Sequence, residues 1–191
     1  MQKSNTIEYP VLKEIENRKS IRAFKHQTIE IEKIHSLFEA ARWSFSSSNE
    51  QAWTYIYAQK NQPLWNDLLS CLSESNQAWC KDADMLILTL AKKLTSRDKP
   101  YIHNFHDVGA SCMAMALQAT SLGLQIHPMG GYDSAKAKST FNIPDMFETV
   151  TMIAVGYPSN NISHLKEHHQ KAETERSERI LQSSFVMNAK F

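Results

Sequence analysis

The sequence predicts an α+β fold, and three observations carry that prediction. Met85 to Ala91 ("MLILTLA") is an uninterrupted apolar run of strand length, suited to a strand buried on both faces at the centre of a sheet. Asn104 to Leu122 ("NFHDVGASCMAMALQATSL") is rich in Ala, Met and Leu, with charge only near its start, the pattern of a helix surrounded by protein. Helical and strand segments also follow one another without regular βαβ alternation, which argues against a doubly wound fold.

Each element has its own local reason. Pro10 is well placed at a helix start, and Val11, Leu12 and Ile15 share one face of a helix that ends near Arg18. A second helix follows the Thr28 to Glu30 start signal, with Ile31, Ile34, Leu37, Phe38 and Ala41 forming one buried stripe up to Trp43. Ser44 to Gln51 is polar and turn-forming, and Trp53 to Ala58 ("WTYIYA") reads as a strand because β-branched and aromatic residues dominate it. Pro63 to Leu72 reads as a third helix. Gly123 stops the long helix, and a short strand from Leu124 to His127 leads into "HPMGGYD". A helix near Ser134 to Phe141 and a strand from Thr149 to Val155 complete the main unit, residues 1–158. After Gly156-Tyr157-Pro158 the apolar density falls. Asn160 to Glu175 reads as a charged loop and "ILQSSFVM", 180–187, as a final strand. Residues 159–191 are therefore expected to be an extension, either flexible or an arm added to a neighbouring subunit.

Composition limits the function. With 191 residues and 42% hydrophobic content, the chain can bury a core as one main unit without covalent staples. A net charge of +1 gives no general drive toward nucleic acid or anionic membrane, so neither is an expected partner. No apolar run approaches the roughly 20 residues of a membrane-spanning helix, and no targeting pattern opens the sequence, so a cytoplasmic location is expected. Cys71, Cys80 and Cys112 are odd in number and lack C-x-x-C spacing, which suits buried thiols rather than disulfides or a zinc clip.

The densest chemistry lies in "NRKSIRAF", where Arg18, Lys19, Ser20 and Arg22 fall within five residues. Only five glycines occur, and they compose neither a G-x-G-x-x-G nor a P-loop pattern. A bound phosphate would thus be held by side chains, for which the arginine fork is well suited. The alternative is a solvated helix end whose cations complement the dipole. In "SFSSSNEQAW", Ser46, Ser47, Asn49 and Gln51 crowd hydrogen-bonding groups into a loop before a strand, which could meet a flat heterocycle or be an ordinary loop. His103, His106 and Asp107 could place two imidazoles on one helical face. No third or fourth ligand accompanies them, so they read as the polar first turn of the central helix and no metal is expected. His168 and His169 read as solvated, and the four tryptophans as core or interface residues.

Taken in order, "RKSIRAF", "EAARWSFSSSNEQAW", "ALQATSLGLQIHPMGGYD" and "AVGYP" resemble the successive signatures of the FMN-dependent nitroreductase family, and the likeness resumes at "SERILQSSFVMNAKF". The resemblance implies a central, mainly antiparallel sheet flanked by helices, in a homodimer whose C-terminal arms are exchanged and whose two FMN molecules sit at the interface. It implies that Arg18, Lys19, Ser20 and Arg22 serve the phosphate and ribityl chain, with Arg22 also near the N1 and C2 carbonyl edge of the flavin. Ser46, Ser47 and Asn49 match a loop laid against the cofactor by the second subunit. Asn76 matches a residue pairing with the pyrimidine edge, the turn Met129-Gly130-Gly131 the backbone that meets flavin N5, and Arg179 a late arginine returning to the phosphate. The implied activity is transfer of hydride from NADH or NADPH to a nitroaromatic, quinone or similar planar acceptor in a ping-pong cycle, with no catalytic side chain.

The sequence departs from that pattern at four places. Phe45 and Ala52 stand where family members usually have proline, so the loop is expected to be less rigid. Trp79 stands where some members place a lysine toward the flavin, with Lys81 nearby, and Ser177 where some have a second basic residue, with Arg176 adjacent. The departures at Phe45, Trp79 and Ser177 keep one alternative in view, a flavin-binding or nucleotide-binding protein without turnover; the resemblance itself admits another, a reductive dehalogenase or flavin-processing relative on the same fold.

Overall fold

A computed structural model describes residues 2–188 of the protein. Its centre is a four-stranded antiparallel sheet built from β2 (Trp53–Gln59), β3 (Met85–Lys92), β4 (Gln125–Met129) and β5 (Phe147–Gly156), in the order β2-β3-β5-β4. The apolar run 85–91 lies at the centre of this sheet, as its composition requires, and every residue from Met85 to Ala91 is buried. Because successive side chains point to opposite faces, β3 feeds two cores. Leu86, Leu88 and Leu90 pack with Trp65, Leu68 and Trp79 on one face. Met85, Ile87 and Ala91 pack with Ile34, Leu37, Val108 and Met115 on the other.

Helices α2 (Ile31–Arg42) and α5 (Asn104–Ser121) cover the second face, and α3 (Leu64–Cys71), α4 (Glu74–Cys80) and α6 (Ser134–Thr140) cover the first. Helix α5 ends where Gly123 takes a left-handed φ of 75°, a conformation that glycine enters without a Cβ penalty. Among the described residues, no helix is long and apolar enough to cross a membrane.

The structure corrects the sequence reading mainly at the chain's ends. The first helix, α1 (Lys13–Asn17), is shorter than the expected span from Pro10 to Arg18 and buries none of its residues. The expected charged loop at 160–175 contains helix α7 (Glu167–Thr174), on which His168 and His169 hold their rings 4.1 Å apart. The expected strand at 180–187 is instead a two-residue strand, β6 (Arg179–Ile180), followed by a 3-10 turn over Gln182–Ser184. β6 pairs with β1 (Lys3–Ser4), so the tail is tied to the start of its own chain. Helix α4 was not expected at all. The end of the expected arm, 189–191, lies outside the described residues.

Candidate functional site

The cationic segment is held in place by neighbours far away in sequence. At the start of β4, the Gln125 amide accepts the Lys19 N–H at 2.8 Å and donates to the Asn17 carbonyl at 3.2 Å. Two residues further along the strand, His127 Nδ1 donates to the Ile21 carbonyl at 2.8 Å, and Lys25 N–H reaches the Tyr157 carbonyl at 2.9 Å. Ile21, Ala23 and Phe24 are thereby buried. Arg18, Lys19, Ser20 and Arg22 are left to line a cavity of about 570 Å³, and the tail brings Arg176, Ser177 and Arg179 to the same cavity. Residues more than 150 positions apart in sequence thus meet in one cleft.

The electrostatics of this cleft are unbalanced. Among the described residues, five cations line it against three carboxylates, Glu16, Glu173 and Glu175. Burial, and then the like charges of Arg179 and Arg176, lower the pKa of Arg18. Cations crowded enough to disfavour one another form a site that an anion relieves. Arg22 takes part through its backbone, whose N–H donates to Glu173 on α7 at 2.7 Å, while its guanidinium lies 5.7 Å from the centroid of the Trp79 ring. Trp79 is buried, its ring tilted against that of His127 with centroids 4.7 Å apart, and it does not line the cleft, so this position brings no charge to the cleft wall. Lys81 is exposed and is not among the lining residues. Burial, only partly opposed by the bond to Ile21, brings the His127 pKa down to about 4, which keeps it neutral at pH 7.

Strand β4 carries the chain past His127 to the Met129-Gly130-Gly131 turn. A register shift between β3 and β5 falls at Thr89 and Leu90, where the Thr89 hydroxyl accepts the Thr151 N–H at 3.1 Å. The Thr151 hydroxyl then donates to the Met129 carbonyl at 2.7 Å and fixes the start of the turn. The Gly131 carbonyl accepts from Ser73 N–H at 2.9 Å and from the Asn76 side-chain amide at 3.0 Å. A Cβ at residue 131 would come within 2.7 Å of Asn76 Nδ2, whereas one at Gly130 would meet nothing within 4 Å. Glycine at 131 thus lets Asn76 approach closely, and the turn offers an open backbone edge at Gly130.

Ser46, Ser47 and Asn49 do not line the cationic cleft. Ser47 N–H donates to Asp107 Oδ2 at 3.0 Å, and Asn49 borders a separate depression with Lys92 and Ser96. Asp107 lies in the first turn of α5, as expected, and is fully buried there; it also accepts the Tyr101 hydroxyl, and His106 Nδ1 lies 3.0 Å from its other oxygen. Phe45 is exposed and its ring lies 5.7 Å from that of His106, while Ala52 is buried. Sequence reasoning did not single out Glu173, the neutral His127 or the Tyr101–Asp107 pair. Among these, only "HNFHD" carried a local signal, and it marked the polar first turn of α5 without its distant partners.

Asn76, Met129, Gly130 and Gly131 do not themselves line the cleft; the turn follows the strand that carries His127 into its wall. An α+β fold with a cleft whose cations come from side chains at both ends of the chain, and an open glycine turn at the end of one wall strand, defines a class distinct from proteins with glycine-rich phosphate loops. The nitroreductase family model matches residues 15–78 and 67–157, and the protein belongs to that family of oxidoreductases. A solved oxidoreductase containing FMN is 31% identical over 100% of this chain and 98% of its own, with a TM-score of 0.91. A protein from Clostridium acetobutylicum assigned as an NADH oxidase is 28% identical and covers 78% of this chain and 89% of its own, with a TM-score of 0.64. One from Desulfovibrio desulfuricans, assigned as a nitroreductase and solved in complex with FMN, shares the fold at 21% identity. It covers 97% of this chain and 99% of its own, with a TM-score of 0.76.

Proposed function

We propose that the protein binds FMN and uses NADH or NADPH to reduce a nitroaromatic, quinone or similar planar acceptor by ping-pong hydride transfer, as a cytoplasmic homodimer. The observation that carries this reading is the meeting of Arg18, Lys19, Ser20 and Arg22 with Arg179 around one cavity whose charges lack full compensation. The residues fit the cofactor. Arginine forks with a lysine and a serine suit a phosphate dianion, the cavity has the size of a cofactor site, and the exposed Gly130-Gly131 edge leaves room for a flat ring. The FMN in a relative of 31% identity, and the assigned activity of a relative of 28% identity, support the same reading.

In this reading Arg18, Lys19, Ser20 and Arg179 hold the phosphate. Arg22 faces the pyrimidine edge, where a cation favours negative charge. Asn76, oriented by its bond to Gly131, pairs with the same edge, and the backbone of Met129, Gly130 and Gly131 orients the reacting edge. When bound, FMN supplies hydride chemistry between reductant and acceptor in alternation. Binding and orientation are then the protein's contribution, without an acid or base of unusual pKa. Ser46, Ser47 and Asn49 serve the cofactor of the second copy, which accords with their separation from the cleft of their own chain. Trp43, Phe45 and Ile102, at 75%, 69% and 82% exposure, supply apolar surface for that partner. Residues 1–158 form the binding body, and 159–191 an extension that completes the phosphate site.

The test is reconstitution of the purified protein with FMN, followed by gel filtration and visible absorption. A flavin band that travels with a dimer is expected. Protein that stays colourless in excess FMN would contradict the reading.

A further inference from the structure

Three of the five non-glycine residues with left-handed φ among the described residues lie in one short loop: Ser48 at 52°, Asn49 at 56° and Gln51 at 50°. L-residues hold that conformation only where their surroundings over-determine it, and such positions concentrate where geometry is functional. The surroundings here are two carboxylates. On one side, Asp107 Oδ2 accepts the Ser47 N–H and the Tyr101 hydroxyl, and that hydroxyl also lies 3.2 Å from the Ser47 carbonyl. On the other, Glu50 accepts both the N–H and the hydroxyl of Ser96 at 2.8 Å. Ser46 Oγ closes the loop by accepting the Gln51 N–H at 3.0 Å.

Of these anchors only Asp107 is fully buried. A buried carboxylate is costly unless its lone pairs are satisfied, and an apolar residue would pack there at less cost. Burial alone would raise the Asp107 pKa; the Tyr101, His106 and Ser47 donors outweigh it and hold the group ionised, at the favourable N-terminal end of α5. The charge is kept where it fixes both a loop amide and the tyrosine beside it.

We infer that Asp107, with Tyr101, is a positioning residue that sets the backbone of the 46–51 loop and thereby aims Ser46, Ser47 and Asn49 at the cofactor of a second copy. The aim toward the cofactor rests on the function proposed above; the clamp on the loop does not. Preorganising a loop lowers the ordering cost of binding, so loosening it weakens affinity without removing any contacting group.

The experiment compares the intact protein with Asp107→Ala and Asp107→Asn, reading amide hydrogen exchange without cofactor and then FMN affinity. In Asp107→Ala, amides 46–51 exchange at least about tenfold faster while those of β3 keep their protection, and FMN binds about tenfold more weakly. Asparagine can offer one oxygen to the same two donors, Ser47 N–H and the Tyr101 hydroxyl, so Asp107→Asn restores both readouts to within about threefold. Unchanged exchange in Asp107→Ala, a loosened loop with unchanged FMN affinity, or an asparagine variant as impaired as alanine would each overturn the inference. If the unsubstituted protein binds no FMN, the cofactor reading falls, and with it the aim, while exchange still decides the clamp. Should Asp107→Ala fail to fold, Tyr101→Phe keeps the ring, removes one hydroxyl donor and carries the same exchange test.

Discussion

Acidification should destabilise the protein through one histidine in the wall of the cleft. His127 is 8% exposed, donates through Nδ1 to a carbonyl and packs on Trp79, and burial brings its pKa from 6.5 to about 4. The unfolded chain therefore takes up a proton as pH falls below about 6.5, whereas the folded chain does not until about pH 4. The stability contributed by the neutral ring is present above the unfolded pKa and is lost as pH falls through the folded one. At about 1.36 kcal/mol per pKa unit the whole loss is about 3 kcal/mol, of which about 2 kcal/mol falls between pH 7 and pH 5. The assay is urea unfolding at pH 7, 6 and 5 for the unsubstituted protein and His127→Asn, whose amide can still donate to Ile21. The variant starts less stable because it loses the ring, but its stability falls about 2 kcal/mol less over that interval. Parallel pH profiles would refute the reasoning, and a direct NMR titration of His127 with a midpoint near 6.5 would refute it independently.

Two further predictions concern the cleft. Gly131→Ala forces a Cβ into the space of Asn76 Nδ2; because that atom ends a flexible side chain, the stability loss is about 1 kcal/mol. FMN affinity falls by more than that loss accounts for, which parallel melting and flavin titration will show. Arg18→Ala should weaken FMN by about 10- to 100-fold, the worth of a charge-assisted hydrogen bond, and leave riboflavin, which lacks the phosphate, nearly unaffected. Equal losses for the two ligands would place Arg18 away from the phosphate.

The core of the fold was legible because its elements carry strong periodic or continuous signals. "MLILTLA" has too many consecutive apolar residues for an exposed strand and too few for a long helix, and α5 announces its end with Gly123. Helix α4 was not legible, because its buried residues are only Trp79 and Cys80, adjacent to each other and without a repeat. Helix α7 buries none of its residues, so no apolar stripe marks it. The run "ILQSSFVM" suggested a strand by content, but it finds only the two residues of β1 as a partner and turns away after Ile180.

The candidate site divides in the same way. Arg18, Lys19, Ser20 and Arg22 stood out by local density, and the open turn by its paired glycines. Arg179 and Ser177 could be set beside them only through resemblance, since more than 150 residues intervene. Asp107 was visible as part of the first turn of α5, but its hold on the loop was not, because the partners, Ser47 and Tyr101, are distant in sequence or carry no motif of their own. Its burial decides between a polar helix turn and a clamp, and burial is a tertiary property.

The central claim is that the cationic cleft and the glycine turn together make a flavin reductase. The most direct measurement is the visible spectrum of the FMN-reconstituted protein under anaerobic conditions, before and after NADH or NADPH and then after a quinone or nitroaromatic. The account predicts a flavin band that bleaches with the reductant and returns, in stoichiometric amount, with the acceptor. A bound flavin whose band neither nucleotide bleaches would contradict it.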